Sequence, residues 1–179
     1  GAAAAVAAAR AGAKTLIVER AGFLGGTGAS VLDTFYGFYA PGAPDHRVVG
    51  GIAWEVADSL VSKGLAFERA NTYGAGTGVT YEPLHLRTVW DEMVDQAGGR
   101  VLFHTPITRV VLSGDCITGL VAETARGPVL LRGRVVIDAS GDADVAWRAG
   151  AAVERPERSR RLQPLTATFR MMNVDIGRT

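Results

Sequence analysis

The stretch Gly1-Ala-Ala-Ala-Ala-Val-Ala-Ala-Ala-Arg-Ala-Gly-Ala-Lys-Thr-Leu-Ile-Val-Glu-Arg20 decides how this chain is read. Alanine is the best helix former, and its methyl side chain lets a helix lie close against a neighbouring backbone, so Gly1 to Ala11 is predicted to be a buried helix. Gly12 ends it. Lys14 to Glu19 follows as a short run rich in branched apolar residues, bounded by that glycine and by charges, which is the pattern of a buried parallel strand.

A helix followed by such a strand is half of a known arrangement. A dinucleotide fold places a glycine-rich turn after a strand, points a helix N-terminus at a pyrophosphate, and holds the ribose with an acidic residue about 20 positions on. Gly1 fits the last glycine of that turn, where a missing side chain allows tight helix–strand packing, and Glu19 ends the next strand. A carboxylate there accepts hydrogen bonds from ribose hydroxyls and repels a 2′-phosphate. The competing reading is a surface glutamate that merely follows a buried strand. The chain opens on Gly1 rather than Met, and the motif's first strand and opening glycines have no counterpart before it, so it reads as a fragment.

Working outward, Ala21 to Ser30 holds Gly22, Gly25, Gly26 and Gly28, a density that permits positive φ and close backbone approach, as in a loop entering a helix. Gly50 to Ser62 and Pro83 to Ala97 are predicted helices. In the second, Leu86, Val89, Trp90, Met93, Val94 and Ala97 recur on one face and Gly98-Gly99 follows the end. Asn71 to Thr80 between them reads as an irregular, glycine-bearing stretch. From Arg100 onward the runs are short and β-like: Val101 to Phe103, Ile107 to Leu112, Cys116 to Ala122, Val129 to Leu131 and Val135 to Ile137. Ser113-Gly114-Asp115 and Ala125 to Pro128 are hairpin-like connections, which makes the middle three runs an antiparallel meander. Asp138 to Asp142 then leads into a predicted helix at Ala143 to Ala149, Glu154 to Arg161 reads as an exposed charged crossing, and Leu165 to Met172 as a strand.

Bulk properties exclude several classes. With 179 residues, 47% hydrophobic and 21% charged, the chain can bury a core. Nineteen Lys+Arg against eighteen Asp+Glu leave a net charge of +1, so no global field favours nucleic acid or an anionic membrane. Cys116, the single cysteine, makes neither an internal disulfide nor a thiolate cluster, which fits a reducing, cytoplasmic compartment. Arg10 interrupts the opening apolar run too early for a membrane span. His46, His85 and His104 form no metal spacing. Each reads as a surface or capping residue more readily than as a proton-transfer group. Phe35, Tyr36, Phe38 and Tyr39 read as core more readily than as a pocket wall.

Taken together, the opening run, Gly22-Phe23-Leu24-Gly25-Gly26 and Val135-Val136-Ile137-Asp138-Ala139-Ser140-Gly141-Asp142-Ala143-Asp144-Val145-Ala146 with Ala149-Gly150-Ala151 resemble the FAD-dependent oxidoreductase family with the glutathione-reductase-type nucleotide fold. Gln163-Pro164-Leu165-Thr166 and Phe169-Arg170 are similar to the entry into that family's substrate region. The resemblance spans nearly the whole chain and is weakest from Asp33 to Tyr81.

It implies an α/β, Rossmann-like FAD/NAD(P)-binding domain over residues 1–150, with a parallel sheet, a helical insertion at about 33–98 and an antiparallel β-meander at about 105–131. Residues 151–179 would then begin a substrate-domain segment. It also implies a cofactor path. Glu19 would bind the adenosine ribose, Gly25 and Gly26 would line the pyrophosphate and ribityl path, Ile107 would offer backbone groups to adenine, and Gly141 and Asp142 would sit near the pyrophosphate, with Gly1, Arg20, Thr27 and Ala139 as further cofactor-binding positions. An ordinary strand-to-helix turn capped by Asp142 is the alternative for Ala139 to Asp142. The expected activity passes a hydride or electrons between a small organic substrate and an unidentified acceptor through FAD. An NAD-dependent dehydrogenase domain shares the helix and Glu19, but the meander and Ala139 to Asp142 argue against it; a non-catalytic remnant of the same fold is the third reading.

Overall fold

The computed structural model of the chain describes residues 1–70 and 76–154, with positions 167, 169, 171, 173 and 175 beyond them. In chain order, α1 (Ala2–Arg10) leads to β1 (Leu16–Val18), the short helix α2 (Gly26–Ser30), and three brief strands: β2 (Thr34–Phe35), β3 (Tyr39–Ala40) and β4 (Ala43–Arg47). Then come α3 (Gly51–Ser62), β5 (Ala66–Ala70), β6 (Thr77–Tyr81) and α4 (Pro83–Gln96). The second half runs β7 (Arg100–Leu102), β8 (Ile107–Ser113), β9 (Cys116–Thr124), β10 (Gly127–Leu131) and α5 (Asp144–Arg148).

The alanine helix forms as its composition predicts, and it buries Ala2, Ala5 and Val6, the i, i+3, i+4 positions of one face. β1 pairs in parallel with β7, register Ile17 opposite Val101, so the opening helix and strand belong to a parallel α/β unit. α4 starts on Pro83, which needs no N–H partner there, and turns Leu86, Val89, Met93 and Val94 inward. These residues form one core with Ala2, Val6, Ile17, Leu24, Val56 and Leu60, so α1, α3 and α4 pack together behind β1. β8, β9 and β10 form the expected antiparallel meander, order β10-β9-β8, joined by tight turns at Gly114 and at Ala125-Arg126.

Several expectations need correction. The excursion expected to be helical also carries a three-stranded antiparallel sheet, order β2-β6-β5, and the hairpin pair β3-β4. Within the stretch expected to be irregular, Thr77 to Tyr81 is a strand buried almost along its whole length, while residues 71–75 lie outside the described residues. Gly78 in its centre weakens the local signal, yet pairing on both sides and burial of Val79 and Tyr81 outweigh that cost. Val135 to Ile137 is not a paired strand. Val135 is 79% and Ile137 60% exposed, and apolar branched residues do not make a ladder without a neighbour to hydrogen-bond, which they lack among the described residues. The charged run at 155–161 and Gln163 to Thr166 lie outside the described residues, as does most of the strand expected at Leu165 to Met172.

Candidate functional site

In open α/β sheets ligands gather at the carboxyl ends of parallel strands. Here that edge is where β1 and β7 both end. The Glu19 N–H donates to the Leu102 carbonyl at 2.8 Å, the Thr105 N–H donates to the Glu19 carbonyl at 2.9 Å, and the His104 N–H donates to the Ala21 carbonyl at 3.1 Å. Glu19 is therefore fixed between two strand ends. Its Oε1 accepts the Ala21 N–H at 2.8 Å, while no described residue donates to Oε2. A carboxylate held by one oxygen with the other open is suited to accept hydrogen bonds from a vicinal diol.

The loop after Glu19 returns over the edge. His104, at φ 52, lies so close to Gly22 that a Cβ on the glycine would stand 2.6 Å from the imidazole Cε1. Farther along, Gly25 has φ +106 and caps α2; a Cβ there would meet the Ala29 Cβ at 2.6 Å and Trp90 Cδ1 at 3.0 Å. Only glycine serves both the backbone and the space at this point. α2 itself is tied down from α4 and β6. The Tyr81 hydroxyl donates to the Gly28 carbonyl at 2.9 Å, and the Arg87 guanidinium donates to the Ala29 carbonyl through Nε at 3.0 Å and Nη2 at 2.8 Å. Arg87 also lies 3.7 Å over the Phe23 ring.

The turn after Ile137 is organised by a residue not singled out from the sequence. Asp138 Oδ2 accepts the N–H groups of Val145 at 2.9 Å and Ala146 at 2.8 Å, and its Oδ1 accepts the Ser140 N–H at 2.9 Å. Ser140 Oγ in turn accepts the Asp144 N–H at 2.9 Å. Burial alone would raise the Asp138 pKa, but the backbone donors of Ala146, Ser140 and Val145 and the Ser140 hydroxyl outweigh it and hold the carboxyl below the usual range. Asp138 and Ser140, rather than Asp142, cap α5; the N-cap residue is Ala143 at φ 57. An Asp followed two residues later by Ser just ahead of a helical run was the available signal.

The expected site residues are distributed as follows. Gly1 is the N-cap of α1, with no side-chain cap bond, and a Cβ on it would lie 3.7 Å from the Ala139 Cβ, so the first helix and the late turn are neighbours. Ile107 opens β8 opposite Ala122, two residues beyond the Thr105 that bonds Glu19, and α5 packs on β8. Gly1 is thus brought to the 139–142 turn, and Ile107 to within two residues of the backbone bond to Glu19. Gly26, Thr27, Gly141 and Asp142 are exposed, and no atom lies within 4 Å of a Cβ built on Gly26 or Gly141, so their backbones face open space. Arg20 is exposed. Of the histidines, His85 sits in the first turn of α4 and His46 in β4, away from this edge. Phe35 and Phe38 are core residues, stacked on Tyr81 and edge-on to Trp54, whereas Tyr36 is exposed. A shallow hollow lined by Thr108, Arg109, Val110, Trp147 and Arg148 lies between β8 and α5 and contains none of the expected residues.

The family described as FAD dependent oxidoreductase matches residues 1–179. No curated protein matches the chain. Among solved structures, Thermovibrio ammonificans THI4 is 17% identical with a TM-score of 0.55, over 84% of this chain and 59% of that one. The flavin-dependent brominase Bmp2 is 13% identical with a TM-score of 0.56, over 84% of this chain and 37% of that one. CabE, an aromatic hydroxylase from angucycline biosynthesis, is 19% identical with a TM-score of 0.54, over 84% and 31%. At these identities the likeness is one of fold. The chain spans 59% or less of the length of each of these structures. No helix among the described residues is long and apolar enough to cross a membrane.

Proposed function

Because the chain belongs to the FAD dependent oxidoreductase family, we propose that it carries the nucleotide-binding part of an enzyme that exchanges a hydride or electrons between a small organic substrate and a second acceptor. The observation that supports this most directly is Glu19, anchored by the Ala21 N–H at the carboxyl end of β1 with no described residue donating to its Oε2. In this reading Glu19 binds the adenosine ribose, with Arg20 at the rim. The uncapped first turn of α1 at Gly1, the loop entering α2 at Gly25, Gly26 and Thr27, where the Gly26 backbone is open, and the turn at Ala139, Gly141 and Asp142 accommodate the pyrophosphate and ribityl chain. Ile107 offers its backbone to the adenine. Bound FAD supplies the redox step, and the protein supplies position and electrostatics. In the same reading residues 1–150 form the cofactor domain and residues 151–179 begin a substrate segment.

The residues present fit the group. The open glycine backbones leave room for phosphate oxygens, and the Glu19 carboxylate matches a diol. The test is the visible absorption spectrum after incubation with FAD and desalting, repeated for Glu19→Ala. Retained flavin bands that are weakened in the variant support the reading. A folded, colourless wild type in that experiment overturns it and favours a nicotinamide-binding or non-catalytic domain.

A further inference from the structure

Among the described residues, the β2-β6-β5 sheet has one face closed by the core and one that carries exposed side chains. In an antiparallel ladder, residues directly opposite share a face and alternate along each strand. Phe35, Val79 and Tyr81 therefore point one way, into the core, where Val79 is 0% and Tyr81 3% exposed. Thr34, Thr80, Phe67, Gly78 and Arg69 point the other way, and Tyr36 follows on that side: a Cβ on Gly78 would stand 2.8 Å from Tyr36 Cε1, so the ring lies across the bare glycine. Phe67 is 59% and Tyr36 47% exposed, an unusual pair of large rings to leave on one open sheet face.

On this face Arg69 is held by neutral groups. Its Nε donates to Thr80 Oγ1 at 2.8 Å and its Nη2 to the Tyr36 hydroxyl at 3.3 Å. The Thr34 hydroxyl donates to Asp33 Oδ1 at 3.0 Å, so Thr80 must donate in the 3.1 Å contact with Thr34, which leaves a Thr80 lone pair for Arg69. The directions of all three bonds are thereby set. Among the described residues no carboxylate pairs with Arg69: the acidic neighbour along its strand, Glu68, lies on the opposite side of β5 and accepts the Tyr39 hydroxyl at 2.6 Å. A guanidinium has five donors, and two are used here, so the Nη1–Nη2 end remains available as a fork for a carboxylate.

We propose that this open sheet face binds a small planar aromatic acid, its carboxylate taken by the free fork of Arg69 and its ring flanked by Tyr36 and Phe67. The face lies on the side of β6 opposite Tyr81, whose hydroxyl holds the Gly28 carbonyl of α2, so it is a binding site separate from the cofactor path and the binding is measured without flavin. The probe is 4-fluorobenzoate, followed by fluorine NMR titration against the protein. Saturable binding is expected, with a tenfold or greater loss in Arg69→Gln and a smaller, few-fold loss in Tyr36→Phe and in Arg69→Lys, which keeps the charge but not the fork. Neutral 4-fluorotoluene is expected to give no saturable shift. Circular dichroism of each variant verifies the fold. Equal affinity in wild type and a folded Arg69→Gln, equal binding of 4-fluorotoluene, or no saturable binding of 4-fluorobenzoate overturns the proposal. Because no flavin is present in the titration, any of these results leaves the flavin reading standing, and loss of flavin binding alone leaves the acid site standing.

Discussion

Replacing Gly25 with alanine tests the loop that joins β1 to α2, and its cost can be worked from two separate terms. The first is backbone strain. At φ +106 the residue occupies a conformation that an L side chain disfavours by about 1–2 kcal/mol. The second is collision, since the added methyl would stand 2.6 Å from the Ala29 Cβ and 3.0 Å from Trp90 Cδ1, well inside the ~3.5–4.0 Å of ordinary carbon contact. α2 is not free to move aside, because Ala29 is 0% exposed and Tyr81 and Arg87 hold the carbonyls of Gly28 and Ala29. Overpacking of this kind costs about 1–3 kcal/mol, so Gly25→Ala is expected to destabilise by about 2–5 kcal/mol in all. Gly12→Ala is the control. It has φ +86 with nothing within 4 Å of the added methyl, and should cost only the strain, about 1–2 kcal/mol. Urea unfolding of both variants by circular dichroism measures the two terms, and Trp90 fluorescence reports whether the indole shifts. If Gly25→Ala is no more destabilising than Gly12→Ala, the crowding read from the structure is wrong.

Three further outcomes are expected. If Glu19 binds the ribose as proposed, Glu19→Ala should weaken FAD binding by about 1–3 kcal/mol through loss of that acceptor; unchanged affinity by flavin titration would reduce Glu19 to a strand-end charge. Asp138→Ala should cost about 0.5–2 kcal/mol at pH 7 by removing the cap of α5. Since the folded pKa of Asp138 is depressed, its contribution is fully present above the unfolded carboxyl value of about 3.9 and is lost as pH falls through the lower folded value. The stability gap between wild type and variant should therefore close in acid, and a gap independent of pH down to full protonation would contradict the capping role. Leu86→Ala should cost about 2–5 kcal/mol, as its side chain is fully buried between α4 and the Gly28 turn, whereas Leu84→Ala on the outer face should stay within about 0.5 kcal/mol. Thermal melts that rank the two leucines equally would show that the helix faces are misassigned.

Much of the frame is legible along the chain because its forces are local. Ala2 to Arg10 is helical by composition, α4 announces its inner face by the spacing of Leu86, Val89, Met93 and Val94, and the meander is punctuated by its own turn residues. Glu19 and Gly25 were legible in the same sense: one is a charge at a strand end, the other a glycine where the chain must turn sharply. The tertiary structure decided what depends on partners distant in sequence. Thr77 to Tyr81 becomes a strand through pairing with Thr34-Phe35 and Ala66–Ala70, which no local pattern around Gly78 encodes. Val135 to Ile137 has the composition of a strand but no neighbour to complete its hydrogen bonds among the described residues. Asp138 acts as a cap because the chain bends back so that N–H groups seven and eight residues on reach its carboxylate. The fork of Arg69 depends on Tyr36, 33 positions away, and on Thr80 across the ladder. Sequence alone determined the elements whose stabilising contacts lie within one helical turn or one hairpin; whatever required two distant segments to satisfy each other's hydrogen bonds was decided only when the chain closed on itself.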